Sequence, residues 1–243
     1  MRFSVFALSA VPDLPTARRI LGLDDLDDKS VTKVLFHQRK QQAGADERLR
    51  WNQQMIASMT LIRHTVDDVQ VESMNLSTHS ETDMLRAYYG HALQHGRMLS
   101  WDGARGMLSI IHLRSLMHEL SFPAYWQAER DGKELHADIS PWLASADDGL
   151  PRLDDVARQL GLPGMLNARA DGLSDAWLRQ SHAELQTFSD LKALNSYLIA
   201  LRLFAVTGEL SRHDGQRVAR HLRDRLGERG DAHLAAFLAS WSG

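Results

Sequence analysis

The chain has 243 residues, 44% hydrophobic and 24% charged, which suits one globular domain of up to roughly 250 residues with a full core. A formal net charge of −3 gives no global basic field to draw nucleic acid, and the lack of cysteine excludes disulfides and thiolate chemistry. No basic segment leads into a long apolar run, and no stretch approaches the roughly 20 apolar residues of a membrane span, so the expected location is cytoplasmic, without a membrane partner.

The alternating apolar run at 2–10, closed by Val11-Pro12-Asp13, predicts a first strand. A short helix is expected at 15–21, with Pro15 in its first turn and Gly22 just past its end. After the acidic stretch 24–28 comes a polar helix at 30–42. Strands follow at 54–63 and 68–75, with a turn at 64–67 between them. Helix is favoured over 81–94. A short strand at 98–101 runs into a turn at Asp102-Gly103. The spacing of Leu108, Ile111, Leu116 and Leu120 predicts a helix over 107–120.

The second half reads as mostly helical. Leu153–Leu160 is stopped by Gly161-Leu162-Pro163-Gly164, and a long apolar helix spans 182–207 up to Gly208. Two further helices are expected at 214–226 and 232–241. Neither an internal repeat nor a linker interrupts this order. Strands first, alternation next and helices last predict one α/β domain over 1–243, with the C-terminal helices 209–243 packed on it.

Several chemical signals resolve into structural ones. His91 and His95 have the i, i+4 spacing of a helical ligand pair, but no Glu follows His91 and no third ligand is evident. They read as surface histidines, and His112 and His118 as structural ones. Arg217, Arg220, Arg223, Arg225 and Arg229 alternate with Asp214, Asp224, Glu228 and Asp231, the pattern of a solvated, ion-paired helix face. Arg39-Lys40 and Arg48 with Arg50 form smaller basic groups. Trp51 and Trp101 could each stack a base, although Trp101 reads better as a buried residue.

Three segments share a frame. Residues 3–13 read FSVFALSAVPD, residues 98–114 read MLSWDGARGMLSIIHLR, and a long stretch begins LGLPGM at 160 and runs through the 182–207 helix. Together they resemble stand-alone bacterial 3′–5′ exonucleases related to the proofreading domain of family-B DNA polymerases. The resemblance implies a ribonuclease H-like fold, a mixed sheet of about five strands flanked by helices. In that family the first strand carries Asp-x-Glu before Thr-Val-Pro-Asp, the second motif a Phe-Asp pair, and the long helix a Tyr followed by an Asp. Its Asp and Glu residues hold Mg²⁺ or Mn²⁺. The corresponding residues here are Ala7, Ser9, Met107, Phe188 and Lys192, and Met165 stands where the family has Lys after Pro-Gly.

A methyl, a hydroxyl, a thioether and an ammonium cannot hold a pair of divalent cations, which need hard oxygen ligands. The resemblance therefore implies a catalytically degenerate relative, with no metal cofactor and no catalytic residues. What it would retain is binding of single-stranded nucleic acid or of a protein partner at the former cleft, with Arg39, Lys40, Trp51, Trp101 and Arg105 as nucleic-acid candidates. Lys192 is expected either to fill part of the metal space and pair with Asp138 or Asp102, or simply to snorkel from an apolar cleft. The rival reading is an active exonuclease with a relocated metal site built from Asp102, Asp138 and one further acid, for which Asp13 and Asp190 are the other candidates.

Overall fold

In the computed structural model, which describes residues 1–43, 48–66, 68–94, 96–104, 106–146 and 149–241, the first strand, β1 (Phe3–Pro12), is covered on both faces. Its residues Phe3, Val5, Ala7 and Val11 enter one hydrophobic cluster, and Phe6 and Leu8 enter another. Burial on both sides is why the strand is apolar almost throughout rather than at every second residue.

β2 (Gln54–His64) pairs antiparallel with β1, and β3 (Val69–Asn75) pairs antiparallel with β2. On the other side β4 (Arg97–Ser100) runs parallel to β1, and β5 (His136–Asp138) parallel to β4. The sheet order is β3-β2-β1-β4-β5. This is the expected mixed five-stranded sheet, and with its flanking helices the architecture is ribonuclease H-like α/β. The carboxyl ends of β1, β4 and β5 lie at one end of the sheet, where β2 also begins. Near that end Ser9 faces Ser58 while Ala10 faces Ile56, leaving Ala57 as the extra residue of a bulge.

Helices α1 (Leu14–Leu21) and α2 (Asp28–Ala43) bury Leu14, Ala17, Val31 and Leu35 in a small cluster with Leu49. Asp13 caps α1 by accepting from the Thr16 amide, and Gly22 ends it in the left-handed region. Helices α3 (Glu81–Gln94), α4 (Met107–Met117) and α5 (Pro123–Arg130) cover the Phe6 and Leu8 face of β1. On the opposite face lie α6 (Leu153–Gln159), α7 (Leu173–Leu178), α8 (His182–Thr207), α9 (Arg212–Gly227) and α10 (Ala232–Ser240). α8 is apolar almost all round because it packs between the sheet and these other helices. Val218 and Leu222 of α9, with Leu234 and Phe237 of α10, share the cluster of β1 and α8.

The differences from the sequence reading have local causes. α4 stops at Met117 rather than 120, because Glu119 turns into the left-handed region (φ 52°) and the Leu120 amide folds back to the Ser115 carbonyl. β5 has three residues, too few for any periodicity to show. α5 and α7 are also short and carried no predicted element. The expected 64–67 turn is described apart from residue 67.

Candidate functional site

α8 sets the site by laying one face along β1. The Ser9 hydroxyl donates to the Leu185 carbonyl at 2.6 Å. Phe188 follows Leu185 at i+3 and Lys192 follows Phe188 at i+4, so the three lie along one side of the helix. Ala7, fully buried, shares a hydrophobic cluster with Phe188. Met107 opens α4 just beyond β4, and the Lys192 Nζ lies 3.7 Å from its Sδ. The structure thus ties Ser9 to the first turns of α8 and Met107 to Lys192, while Ala7 and Phe188 are members of one large hydrophobic cluster. Asn195, the next polar residue of α8 after Lys192, clasps the Pro163-Gly164 turn, accepting from the Gly164 amide at 3.0 Å and donating to its carbonyl at 2.8 Å. Met165 is buried next to that turn.

Burial pulls the Lys192 pKa down, and the carboxylates of Asp102 and Asp138 act against it through space. The expected ion pair does not form. The nearest partner of the ammonium is the Met107 thioether, a weak acceptor. Asp138, one of the two expected partners, has its oxygens engaged by other groups. Oδ1 accepts from the Asp102 amide (2.7 Å), the Ser140 amide (3.2 Å) and the Ser140 hydroxyl (3.1 Å), and Oδ2 from the Ala104 amide (3.2 Å). These bonds brace the turn after β4, where Asp102 adopts φ 56°. Gly103 is required there, since a Cβ would stand 2.0 Å from the Ser100 hydroxyl. Beside the turn, that hydroxyl meets His136 Nε2 at 2.8 Å, and burial brings the His136 pKa down to about 4.

The other two candidate carboxylates for a rebuilt centre are held elsewhere. Asp13 is buried and paired with Arg114, which also forks onto Glu81 with Nη2 at 2.7 Å. Glu81 accepts from the Ile56 amide as well, at 2.7 Å, and meets His118 Nε2 at 2.8 Å. Asp190, fully buried, accepts from Thr60 and Ser73 (both 2.6 Å) and Gln186 (3.1 Å) on Oδ1, and meets His233 of α10 at 2.9 Å on Oδ2. Among the described residues, no three or more His, Cys, Asp or Glu side chains gather as a metal-binding group. The seam around Asp190 was not anticipated. Its only trace in the sequence is Ser189-Asp190 inside an otherwise apolar helix.

The nucleic-acid candidates divide. Trp101 is 3% exposed, packed in the cluster of β1 and α8, so it has no open face for a base and drops out as a stacking residue. Trp51 is 45% exposed, in a single-turn 3₁₀ helix that leads into β2 beside the carboxyl end of β1. Arg39 and Lys40 end α2, with Arg39 Nε bonded to the Arg48 carbonyl at 2.7 Å. Arg105 lies outside the described residues, as does His95. The sequence reading missed Trp142, 64% exposed in the 3₁₀ turn Ser140–Leu143 directly after β5. Its signal was Pro141-Trp142 in a polar stretch without periodicity. His91 is not a free surface residue, since it meets the Ser4 hydroxyl at 3.2 Å and Glu72 at 3.5 Å. His112 is packed among Tyr89, Tyr125 and Trp126, and its burial lowers its pKa.

A family model described as a predicted 3′–5′ exonuclease related to the exonuclease domain of PolB matches residues 47–241. The chain belongs to that family. Met107, Phe188 and Lys192 fall inside the matched residues; Ala7 and Ser9 precede them, on the strand that packs against α8. No curated protein matches the chain. Among the described residues, no helix is long and apolar enough to cross a membrane.

Proposed function

We propose that this chain is a catalytically degenerate member of its exonuclease family that has kept a single-stranded nucleic-acid binding role. The observation that carries the first half is the Lys192 Nζ packed 3.7 Å from the Met107 Sδ, at two positions where the resemblance puts metal-binding carboxylates. Two-metal phosphoryl transfer needs oxygen donors that hold cations about 4 Å apart. Ala7 offers a methyl and Ser9 a hydroxyl whose proton is directed at the Leu185 carbonyl. Met107 adds a soft thioether and Lys192 a donor-only ammonium. That set does not fit Mg²⁺ or Mn²⁺, so no reaction step is assigned to a metal here. The alternative, an active exonuclease with a relocated centre, would draw on Asp102 and Asp138. It is disfavoured by the four hydrogen bonds that Asp138 spends on the neighbouring turn.

The binding half rests on the sheet's carboxyl end, where ligands of open α/β sheets characteristically lie. Trp51 beside β1 and β2, and Trp142 beyond β5, present open indole faces at that same end. Aromatic platforms of this kind stack bases regardless of sequence. A protein partner at this place is less well supported, because Ala7, Met107 and Phe188 are buried and form no exposed apolar patch. A cytoplasmic setting accompanies this reading. The test is fluorescence anisotropy with a fluorescein-labelled oligothymidylate in EDTA. Saturable binding is expected, with Trp51→Ala and Trp142→Ala each weakening it by about 1–3 kcal/mol. An absence of binding, or variants indistinguishable from the parent, would remove the nucleic-acid role.

A further inference from the structure

Away from the former cleft, a groove of about 960 Å³ runs between α8 and α9. Its floor is aliphatic, built from Leu162 of the turn after α6, Leu198, Leu201 and Ala205 of α8, and Ala219 of α9. Val206, 86% exposed, extends the apolar strip at one end.

The rim has the opposite character. Arg202, Arg212, Arg220 and Arg223 line it, and among the described residues no carboxylate does. The arginines in and around α9 sort into two sides. Arg217 and Arg229 pair with Asp214 and Asp231, as the sequence pattern led one to expect, and Arg225 pairs with the distant Asp68. The groove side does not follow it. Arg212 and Arg220 have neither hydrogen bond nor ion pair among the described residues. Arg202 reaches the Leu160 carbonyl alone, and Arg223 lies over the Trp241 ring at 5.7 Å. Arg212 is also the first residue of α9, where the positive end of the helix dipole disfavours a cation. None of these four charges is paired with a carboxylate among the described residues, and their field is complementary to an anionic ligand.

We infer that this groove docks an acidic amphipathic helix of a partner protein, with its apolar face on the leucine floor and its carboxylates against the arginine rim. The floor decides between partner classes. A single strand stacks its bases on aromatic faces, whereas Trp241 is 6% exposed and covered by Arg223, and an aliphatic floor adds nothing to a phosphate backbone. Aliphatic pockets at helical spacing accept leucine-type anchors at i, i+3, i+4 and i+7. From Leu198 to Val206 the α8 wall spans about 12 Å, the length of roughly two turns of such a helix. This inference does not depend on the nucleic-acid reading.

The probe is a fluorescein-labelled peptide of about 18 residues, roughly five helical turns, with leucines at that spacing and glutamates between them. A second peptide carries lysine in place of every glutamate. Anisotropy with the full chain should show saturable binding of the glutamate peptide, at least about tenfold tighter than the lysine peptide and weakened by salt. The double variant Arg212→Glu/Arg220→Glu changes two exposed side chains, and its fold is checked by circular dichroism and thermal melting. It should lose at least about tenfold for the glutamate peptide and gain affinity for the lysine one. Val206→Asp, a substitution at an exposed position, should weaken the glutamate peptide independently. Equal binding of both peptides, no saturable binding, or a charge-reversed variant that binds like the parent would overturn the inference. So would displacement of the peptide by an unlabelled oligothymidylate.

Discussion

Replacing Lys192 by methionine should stabilise the protein. The ammonium is half-buried against a thioether, with no ion-pair partner, and its nearest carboxylates act only through space. Methionine has nearly the same length and would leave the packing on Met107 apolar. Exchanging a poorly compensated buried charge for a hydrophobic group of similar volume is worth up to about 1–4 kcal/mol, and the partial exposure of Lys192 puts the expected gain near 1–2 kcal/mol. For a chain of this size that raises Tm by about 2–8 °C. The pH dependence supplies an internal control. The folded-state pKa of Lys192 is depressed, so at neutral pH the unfolded chain holds a proton that the folded protein binds less readily. Parent stability therefore rises with pH through the folded pKa towards about 10.5, and the advantage of methionine should shrink over the same range. Urea unfolding of both proteins at pH 7.5 and pH 9.5 measures this. A destabilised Lys192→Met protein, or a gain that grows with pH, would mean that the ammonium is well paired.

Arg114→Met should destabilise by about 3–5 kcal/mol, because it strands the buried carboxylates of Asp13 and Glu81; a loss under about 1 kcal/mol in urea unfolding contradicts the role given to that cluster. Stability should also fall as the medium is acidified from about pH 6.5 towards pH 4. Burial first, then the N-terminal ammonium and Arg217, lower the His64 pKa to about 4, and burial does the same to His136. Both are depressed, so the unfolded chain takes up protons before the folded one does. Stability present above pH 6.5 is lost through that window, by up to about 3 kcal/mol from His64 alone. A flat profile of unfolding free energy between pH 7 and pH 4.5 would refute this.

What the sequence made legible was local and periodic. β1 could be placed from its apolar run, α3 and α8 closely, α8 from its apolar composition and Gly208, and α1 from Pro15 and Gly22. The frame around Ala7, Ser9, Met107, Phe188 and Lys192 was also readable; in the structure Ser9 bonds to α8, and Lys192 of α8 contacts Met107 of α4. What stayed hidden depends on long-range juxtaposition. The engagement of Asp138 with the 102–104 turn joins residues 36 and 34 positions apart. The Asp190 seam links β2, β3, α8 and α10 across more than 100 residues on one side. Trp142 sits in an aperiodic loop, and its relation to Trp51 exists only once the parallel strands align their carboxyl ends. The two-sided character of α9 was invisible for the same reason, since the acids that satisfy Arg225 and the groove that exposes Arg220 come from elsewhere in the chain.

The most direct test of the account is degradation of a 5′-labelled single-stranded DNA oligonucleotide by excess purified protein in Mn²⁺, followed across the fractions of a sizing column. The account predicts an intact oligonucleotide in every fraction of the protein peak. A 3′-to-5′ ladder whose intensity tracks that peak would contradict it and establish an active nuclease with its metals held elsewhere.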